Sequence, residues 1–346
     1  STIMMKQFGK APSGKRLERI KQCENYKDGS FKNIEETSVN PNNVSMFKMM
    51  KDMRNRPKSV NPSKKIPFVK TNLNGIEVGK PAFVWFGHSS YFLKINDYTI
   101  LVDPVFSGYA SPVSFFGKAY DGANEYGVDD MPEIDMLILT HDHYDHLDYP
   151  TITKLKNKVK RIVCSLGVGA HLEYWGYAEA MITELNWWES LEIMNDFKIT
   201  ATPARHFSGR LFKRGNTLWS SFVLEVFGYK LYLGGDSGYS PQFKEIGDTF
   251  GPFDLAILEC GQYGENWPQI HNFPEEMVKA AKDLKAKRVI PVHWAKFTLA
   301  MHPWNQPIKR FKKAADEEGL PYVSPKIGEL YQLNQEFNQE VWWDFE

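Results

Sequence analysis

Cysteine and long apolar runs are what this sequence has least of. Three cysteines, Cys23, Cys164 and Cys260, are spread over 346 residues. So few and such scattered thiols exclude a disulfide framework and a cysteine-based zinc site. No apolar run approaches the roughly 18 residues that a membrane-spanning helix needs. What remains is a globular chain, 42% hydrophobic and 14% aromatic, with ample material for a large core.

An excess of charge of one sign is also missing, because 42 Lys and Arg balance 42 Asp and Glu. The distribution is uneven: residues 1–80 hold 17 basic and 7 acidic side chains, and residues 81–346 hold 25 and 35. We therefore predict a basic N-terminal arm, 1–80, that wraps an acidic body, 81–346. An acidic body argues against nucleic acid as a partner, since surfaces that follow phosphates are normally basic.

Within the arm, Met and Phe are interleaved with basic residues between Val44 and Arg54. Two alternatives fit this pattern: a helix packed on the core with a solvated basic face, or an interfacial element resting on anionic lipid. The second predicts a membrane-associated protein, held peripherally or through an anchor preceding Ser1, and the alternative location is the cytoplasm. The oligomeric state stays open, with a homo-oligomer among the options.

From residue 82 onward, strand-like runs dominate. Runs at 83–86, 91–95 and 99–102, separated by turn signals, indicate a β-meander. Helical patterns follow at 151–158, 169–175 and 275–284, the last one opened by Pro274. Further strands are predicted at 161–164, 197–202, 221–227, 230–233, 255–258 and 288–292. Strands that first meander and then alternate with helices favour a mixed α/β sandwich.

The most informative segment is 141–146, with the sequence HDHYDH, directly after the apolar run 136–139. A neutral imidazole nitrogen and an anionic carboxylate oxygen are ligands that Zn²⁺ prefers. An irregular turn after a strand can point alternate side chains toward two neighbouring ions. We predict that one ion takes His141 and His143 and that the other takes Asp145 and His146.

Three downstream residues, His206, Asp236 and His293, each follow a strand-like run. Two zinc ions need about three protein ligands each and an open position. We predict that His206 completes the first ion, that His293 completes the second, and that Asp236 bridges the two. Asp103, also at a strand end, is predicted to hold a ligand histidine through the other ring nitrogen.

This ligand pattern resembles the metallo-β-lactamase superfamily over residues 82 to about 305. The surrounding sequence is similar, more narrowly, to the N-acyl-phosphatidylethanolamine-hydrolysing phospholipase D family. The matching stretches are WFGH (85–88), DPVFS (103–107), SPVS (111–114), DHYDHLDY (142–149), WWE (187–189), GDSGY (235–239), GPFDL (251–255) and VHW (292–294). The resemblance implies an α/β fold, a four-layer αβ/βα sandwich, with two zinc ions at one edge and a phospholipid as substrate.

The activity that the resemblance implies is a phosphodiesterase of phospholipase D type, which releases phosphatidic acid and N-acylethanolamine. Hydroxide generated between two ions would attack phosphorus, and Asp145 and Asp236 would orient it as well as bind metal. His271 matches a non-ligand histidine of the family, which implies contact with the substrate and proton donation to a phosphate oxygen or the leaving group. Ile270 stands where the family often has Gln. Tyr144, adjacent to ligands, is a candidate substrate-binding residue in the wall of the pocket, and ordinary packing is the alternative.

The main alternative is a hydrolase of small phosphate esters or lactones with the same fold. A di-iron redox enzyme of this fold would carry Glu in place of His143, which disfavours that class. A binding protein without turnover is disfavoured because all seven ligands are present. His88, His171 and His302 receive no ligand role, although His88 matches the family pattern.

Overall fold

The N-terminal elements of the computed structural model, which describes residues 5–210 and 213–346, are short. They are helix α1 (Gly14–Lys21), a hairpin of β1 (Tyr26–Lys27) and β2 (Ser30–Phe31), and helix α2 (Met46–Arg54). Arg16 of α1 forms ion pairs with Glu173 and Glu184 of the body, at 2.7 and 2.8 Å. The Asn33 side chain donates to the backbone carbonyl of His206. The division of the chain at residue 80 stays a prediction.

The first large sheet has seven strands. They are β3 (Gly79–Trp85), β4 (Tyr91–Asn96), β5 (Tyr98–Val102), β6 (Met136–Leu139), β7 (Ile162–Ser165), β8 (Ile182–Leu185) and β15 (Leu330–Gln332). Their spatial order is β15-β3-β4-β5-β6-β7-β8. The pairs from β15 to β5 are antiparallel, and the pairs from β5 to β8 are parallel. The predicted meander is therefore confirmed as β3–β4–β5.

The second large sheet has six strands. They are β9 (Ser190–Met194), β10 (Phe197–Thr202), β11 (Ser221–Val226), β12 (Tyr229–Leu233), β13 (Leu255–Glu259) and β14 (Val289–Val292). They lie side by side in the order of the chain, from β9 to β14. The first three pairs are antiparallel and the last two are parallel. Each sheet thus ends in parallel strands, whose carboxyl ends meet at one edge.

Helices cover the outer faces of both sheets. They are α3 (Tyr149–Lys154), α4 (Gly169–Tyr174), α5 (Gln242–Phe250), α6 (Pro274–Asp283) and α7 (Gln306–Glu318). Ile152 of α3 and Leu172 of α4 pack with Leu137 on the outside of the first sheet. Met277 of α6 and Phe311 of α7 belong to the core cluster of the second sheet. These are the four layers of the αβ/βα sandwich.

Alternation along β3 shows why its sequence is apolar on both sides. Phe83 and Trp85 belong to the large core cluster that also contains the side chains of the second sheet. Ala82 and Val84 belong to the cluster under α3 and α4. Successive side chains of a strand point to opposite faces, and here both faces are covered.

The structure of helix α2 excludes one of the two alternatives that were predicted for segment 44–54. The segment is helical, and Ser45 caps it by accepting a hydrogen bond from the backbone N–H of Lys48. None of its residues is buried, and Met46 and Phe47 are 78% and 80% exposed. The core-packed helix is therefore wrong, because the Met and Phe side chains face solvent and the neighbouring cleft. Among the described residues, no helix combines the length and the apolar character needed to cross a bilayer.

Candidate metal centre

The predicted metal ligands converge at one edge of the sandwich. Residues 141–146 follow β6, His206 follows β10, Asp236 follows β12 and His293 follows β14. Ligand atoms of His141, His143 and His206 lie within 4.8 Å of one another. Those of Asp145, His146 and His293 form a second such group, together with His88. Both groups are the ones proposed from the sequence, with one histidine added.

Asp236 lies between the two groups. Its Oδ2 is 2.9 Å from Nε2 of His146, in the second group. The same oxygen is 3.5 Å from Nε2 of His141 and 3.5 Å from Nε2 of His206, both in the first group. This carboxylate therefore reaches both groups, as a bridging ligand must.

The ligand atoms of this site are better arranged to bind a cation than to form hydrogen bonds with one another. Within the described part of the chain, four of them are buried without a hydrogen-bond partner: Nε2 of His141, His143 and His293, and Oδ1 of Asp236. A buried polar atom left unpaired costs about 1–3 kcal/mol. Nitrogen and oxygen donors that converge in this way suit zinc and similar ions. The residues present therefore fit the metal that the fold implies.

The ring nitrogens that face away from the centre are held by hydrogen bonds. The partners are Thr140 Oγ1 for His141 at 3.0 Å, Asp103 Oδ2 for His146 at 2.8 Å, the Ile270 carbonyl for His206 at 2.9 Å and Ser89 Oγ for His293 at 2.9 Å. Such outer partners fix the tautomer and orientation of metal-binding imidazoles. Asp103 occupies the position that the sequence predicts for it.

Burial of three ligand histidines favours the neutral form that binds cations. It lowers the pKa of His143 to about 3, and it lowers the pKa of His206 and His293 well below the ordinary value. Burial acts in the opposite sense on Asp145, but His146 and His88 keep the pKa of that carboxyl well below its usual range. Neutral imidazoles and ionised carboxylates are the forms that bind metal.

Asp142, inside the ligand segment, turns away from the centre. Its carboxylate accepts hydrogen bonds from His171 Nε2 at 2.9 Å, the Gly209 backbone N–H at 2.8 Å and Thr217 Oγ1 at 2.8 Å. The buried Arg210 guanidinium donates to the Asp142 carbonyl at 3.0 Å. Asp142 therefore anchors the loop on which the ligands stand, and His171 has a structural role.

His271 stands against both ligand groups. Its ring centroid is 5.0 Å from that of His206 and 5.0 Å from that of His293. Its Nδ1 is 2.6 Å from Oε2 of the buried Glu259. Burial opposes the charged imidazole, but Glu259 raises the pKa of His271 to about 9. The His271 side chain thus lies beside the proposed metal ligands, at the same edge of the sandwich. Its catalytic role stays a prediction.

Tyr144 is held within the protein. Its hydroxyl donates to the backbone carbonyl of Arg210, and the Arg210 guanidinium lies 4.2 Å above its ring. Both contacts belong to packing of the loop. Its substrate-binding role stays a prediction.

Three residues of the site received no role from the sequence. His88, which has a positive φ of 51°, places Nε2 2.8 Å from Oδ2 of Asp145. Glu259 contacts His271, and Arg214 lines the cleft above the ligands. The sequence signals for two of these residues are weak. They are the GH turn at 87–88 for His88, and a single acidic residue at the end of the apolar run 255–258 for Glu259.

A cleft of about 520 Å³ opens over the centre. Five site residues form its polar floor: His143, Asp145, His206, Asp236 and His271. Apolar side chains form much of its wall: Val39, Val44, Met46, Met49, Phe207 and Leu299. Two of these wall residues, Met46 and Met49, belong to α2, so the exposed helix is also one side of the cleft.

A four-layer αβ/βα sandwich with a His/Asp cluster at its edge defines the class of metal-dependent hydrolases with the metallo-β-lactamase fold. The sequence profile of the beta-lactamase superfamily domain matches residues 98–294, more than half of the chain. The chain therefore belongs to the metallo-β-lactamase superfamily.

Relatives support this assignment at several distances. An uncharacterised protein of Mycobacterium tuberculosis is 35% identical over 93% of this chain and 88% of its own length. The N-acyl-phosphatidylethanolamine-hydrolyzing phospholipase D 1 of Caenorhabditis elegans is 29% identical over 72% of this chain and 75% of its own length. The metallo hydrolase Igni18 of Ignicoccus hospitalis has a TM-score of 0.58 at 20% identity, over 75% of this chain and all of that one, which shows the shared fold.

Proposed function

We propose that the protein is a dizinc phosphodiesterase of phospholipase D type that cleaves N-acyl-phosphatidylethanolamine to phosphatidic acid and N-acylethanolamine. The observation that carries the proposal is the composition of the cleft, where a floor of metal-ligand side chains meets an apolar wall. A lipid phosphodiester needs both, a polar reaction centre and an apolar surface for its acyl chains. The similarity to the Caenorhabditis elegans phospholipase supports the same substrate class.

The residues divide the work of the reaction. One ion is assigned to His141, His143 and His206, the other to Asp145, His146 and His293, and Asp236 contacts both. When bound, two such ions supply hydroxide at neutral pH and stabilise the charge of the phosphodiester oxygens.

Two other side chains and the apolar wall act on the substrate itself. His271, at the edge of both ligand groups, is placed to protonate the leaving alkoxide. Arg214 lines the cleft with its guanidinium 5.0 Å from the ring of Phe207, and it offers positive charge to the phosphate. The apolar wall holds acyl chains and excludes water from one side of the phosphodiester.

A membrane face extends from the mouth of the cleft. Leu299 lines the cleft and also a second groove of about 610 Å³, bordered by Met53, Phe115 and Phe116. Phe115 and Phe116 are exposed, like Met46, Phe47 and Met50 of α2. Four basic side chains and one acidic side chain line the same groove: Arg56, Lys64, Lys65, Lys118 and Asp121. Apolar and basic groups side by side are suited to an anionic lipid surface.

Turnover in ¹⁸O-labelled water tests the bond that is cleaved. Attack at phosphorus places the label in the phosphate of phosphatidic acid, and attack at a carbonyl places it in a carboxylate. Mass spectrometry of both products from N-acyl-phosphatidylethanolamine vesicles separates these outcomes. Label in an acyl product, or turnover of soluble phosphate esters or lactones alone, would refute the phospholipase proposal and favour the small-substrate hydrolase.

A further inference from the structure

Glu259 is a buried acid of the site that is not one of the seven proposed metal ligands. It ends β13 at the same edge as the ligands, and it is 2% exposed. Its Oε1 accepts hydrogen bonds from the backbone N–H of Ser237 at 2.9 Å and of Asn272 at 3.1 Å. Its Oε2 faces Nδ1 of His271 at 2.6 Å. A charged group is rarely buried unless each oxygen is satisfied, as here.

We propose that Glu259 is the positioning residue of His271. It keeps a proton on Nδ1 and fixes the plane of the ring, so that Nε2 is presented to the leaving oxygen of the substrate. This inference rests on the proposed phosphodiesterase activity, which it deepens by naming the residue that prepares the acid.

The contacts of Glu259 explain why the arrangement is rigid. Ser237 directly follows Asp236, the proposed bridging ligand, and Asn272 directly follows His271. One carboxylate therefore joins the end of β13, the loop that carries Asp236 and the loop that carries His271. A ring held at one nitrogen by a fixed carboxylate loses little freedom when it donates from the other nitrogen.

The opposite nitrogen of His271 is directed to the reaction. The ring is in contact with one ligand histidine of each group, His206 and His293. Nδ1 is engaged by Glu259, and Nε2 makes no hydrogen bond to any residue in the described part of the chain. Because His271 also lines the cleft, its Nε2 is the nitrogen available to substrate.

A competing assignment makes Glu259 a metal ligand. Atoms of Asp236, Glu259, His271 and His293 lie within 4.8 Å of one another. The hydrogen bonds favour positioning instead, because both oxygens of Glu259 are already engaged and its Oε2 is 3.9 Å from Nε2 of His293. The two assignments differ in what removal of the carboxylate does to the metal content.

In the step that this arrangement serves, the oxygen of a water molecule bonds to phosphorus, and one proton of that water passes to solvent. At the same time the bond from phosphorus to the ethanolamine oxygen breaks. The electron pair of that bond goes to the ethanolamine oxygen, which takes the proton from Nε2 of His271. The imidazole is left neutral with its Nδ1 proton on the Glu259 side, and a solvent proton restores it.

Leaving-group dependence tests the proposal. Glu259→Gln should lower kcat for N-acyl-phosphatidylethanolamine about 100-fold, the scale of general acid catalysis, with KM within about twofold. A phospholipid analogue with a p-nitrophenol leaving group needs no acid, so its kcat should fall less than about threefold. His271→Ala should show the same split, and the double variant should be no slower than His271→Ala. Glu259→Asp should recover part of the loss.

The matched control is Glu276→Gln. Glu276 is also a partly buried carboxylate near His271 in the chain, and it accepts a hydrogen bond from the backbone N–H of Phe273 at 3.0 Å. It does not contact His271. Its replacement should leave the ratio of the two substrates unchanged.

Two measurements that do not depend on activity accompany the kinetics. Glu259→Gln should keep the wild-type metal content, and loss of metal would identify Glu259 as a ligand and overturn the proposal. In ¹⁵N-histidine NMR spectra, wild type should show a proton on Nδ1 of His271, assigned by its absence in His271→Ala. Glu259→Gln should lose or shift that signal.

The outcomes separate this proposal from the proposed function. Equal loss on both substrates, or no loss on either, would overturn the positioning role while leaving the phospholipase activity intact. If wild type releases no phosphatidic acid, the proposed function fails. The NMR result then decides whether Glu259 still fixes His271, and an unchanged Nδ1 signal in Glu259→Gln would overturn that as well.

Discussion

The floor of the cleft, which carries the metal-ligand side chains, and its rim, which is formed by α2, differ in how deeply their side chains are buried. On the floor, His206 and Asp236 are buried, and a hydrogen bond to the Ile270 carbonyl fixes the outer nitrogen of His206. On the rim, α2 has no buried residue, and its largest apolar side chain, Phe47, is 80% exposed. The floor has the rigidity that metal chemistry requires. The rim has the apolar exposure that a folded domain normally avoids.

The difference indicates that reaction and access are separable. Changes of metal ligands on the floor should remove chemistry on every substrate and lower metal content. Changes on the rim should affect only substrates that are presented in a lipid surface. A rim change that lowers turnover of soluble substrates, or a change of a metal ligand that spares them, would break this comparison.

The largest expected effect is that of Asp236→Asn. This change removes one anionic oxygen from the residue that reaches both ligand groups, so we expect turnover to fall at least about 1,000-fold. Elemental analysis should show about two zinc equivalents in wild type and fewer in the variant. Asp248→Asn, on the exposed surface of α5, is the control with full activity. A fully active Asp236→Asn protein would exclude the bridging role.

Asp103→Asn should have an intermediate effect. Asp103 accepts from the Thr140 backbone N–H at 2.9 Å and contacts His146 Nδ1 at 2.8 Å. The amide can still accept one hydrogen bond but no longer offers charge to the imidazole. Changes of this kind typically cost 10- to 100-fold in metal affinity or activity. A zinc titration with a competing chelator measures the affinity, and an affinity equal to that of wild type would contradict the assignment.

On the rim, Phe47→Ser with Met50→Ser should lower turnover of vesicle substrate about tenfold. Each apolar side chain that enters a lipid surface contributes at most roughly 1.5–3 kcal/mol, and the neighbouring basic residues remain. Vesicle sedimentation should show weaker binding, while a short-chain soluble substrate should be cleaved at the wild-type rate.

Val78→Ser with Met194→Ser is the matched control for the rim, because both side chains are exposed and neither lines the cleft. This pair should leave vesicle binding unchanged. Equal losses in the two double variants would show that exposed apolar area in general, rather than the α2 face, binds lipid.

The smallest expected effect concerns Lys296, a buried cation three residues after His293. Its Nζ donates to the carbonyls of Val105 at 2.9 Å and Phe86 at 3.2 Å, and burial lowers its pKa from 10.5 to about 7. Between pH 7 and 10.5, the Lys296 amine is therefore protonated in the unfolded chain and deprotonated in the folded protein. Stability from this group should rise with pH in that window, by at most about 1.4 kcal/mol per pH unit.

Denaturant melts of wild type and Lys296→Met from pH 6 to 9 measure this slope. The difference between the two proteins isolates Lys296 from the other titrating groups. The variant should lack the rise in stability that wild type shows. Parallel pH profiles for the two proteins would show that Lys296 stays charged in the fold.

Much of the fold follows from local pattern. The meander at 83–102, the helix opened by Pro274 and most strands of the second sheet are confirmed, because each has a strong periodicity or a turn signal of its own. The predicted helix at 151–158 lies earlier, at Tyr149–Lys154, since Pro150 sits in its first turn. The edge strands β8 (Ile182–Leu185), β9 (Ser190–Met194) and β15 (Leu330–Gln332) were missed, because partly exposed edge strands carry little apolar signal.

The candidate site also has a part that local sequence predicts and a part that it does not. Segment 141–146 can be recognised as a metal-binding segment from the sequence, because three imidazoles and a carboxylate at this spacing have few other uses. His206, Asp236 and His293 could be proposed because each follows a predicted strand, and the carboxyl ends of strands that run in the same direction lie at one edge of a sheet. Their meeting in two groups around Asp236 is a property of the tertiary structure.

Sequence alone therefore determined the ligand chemistry, the strand framework and the family, since all three depend on residue types at short spacing. Only the tertiary structure decided that Glu259 supports His271, that Asp142 faces away from the centre, and that α2 is exposed beside the cleft. Those facts depend on contacts between residues that are 12 to more than 200 positions apart. A local pattern shows that a helix is amphipathic, but what lies against each of its faces is set by the rest of the chain.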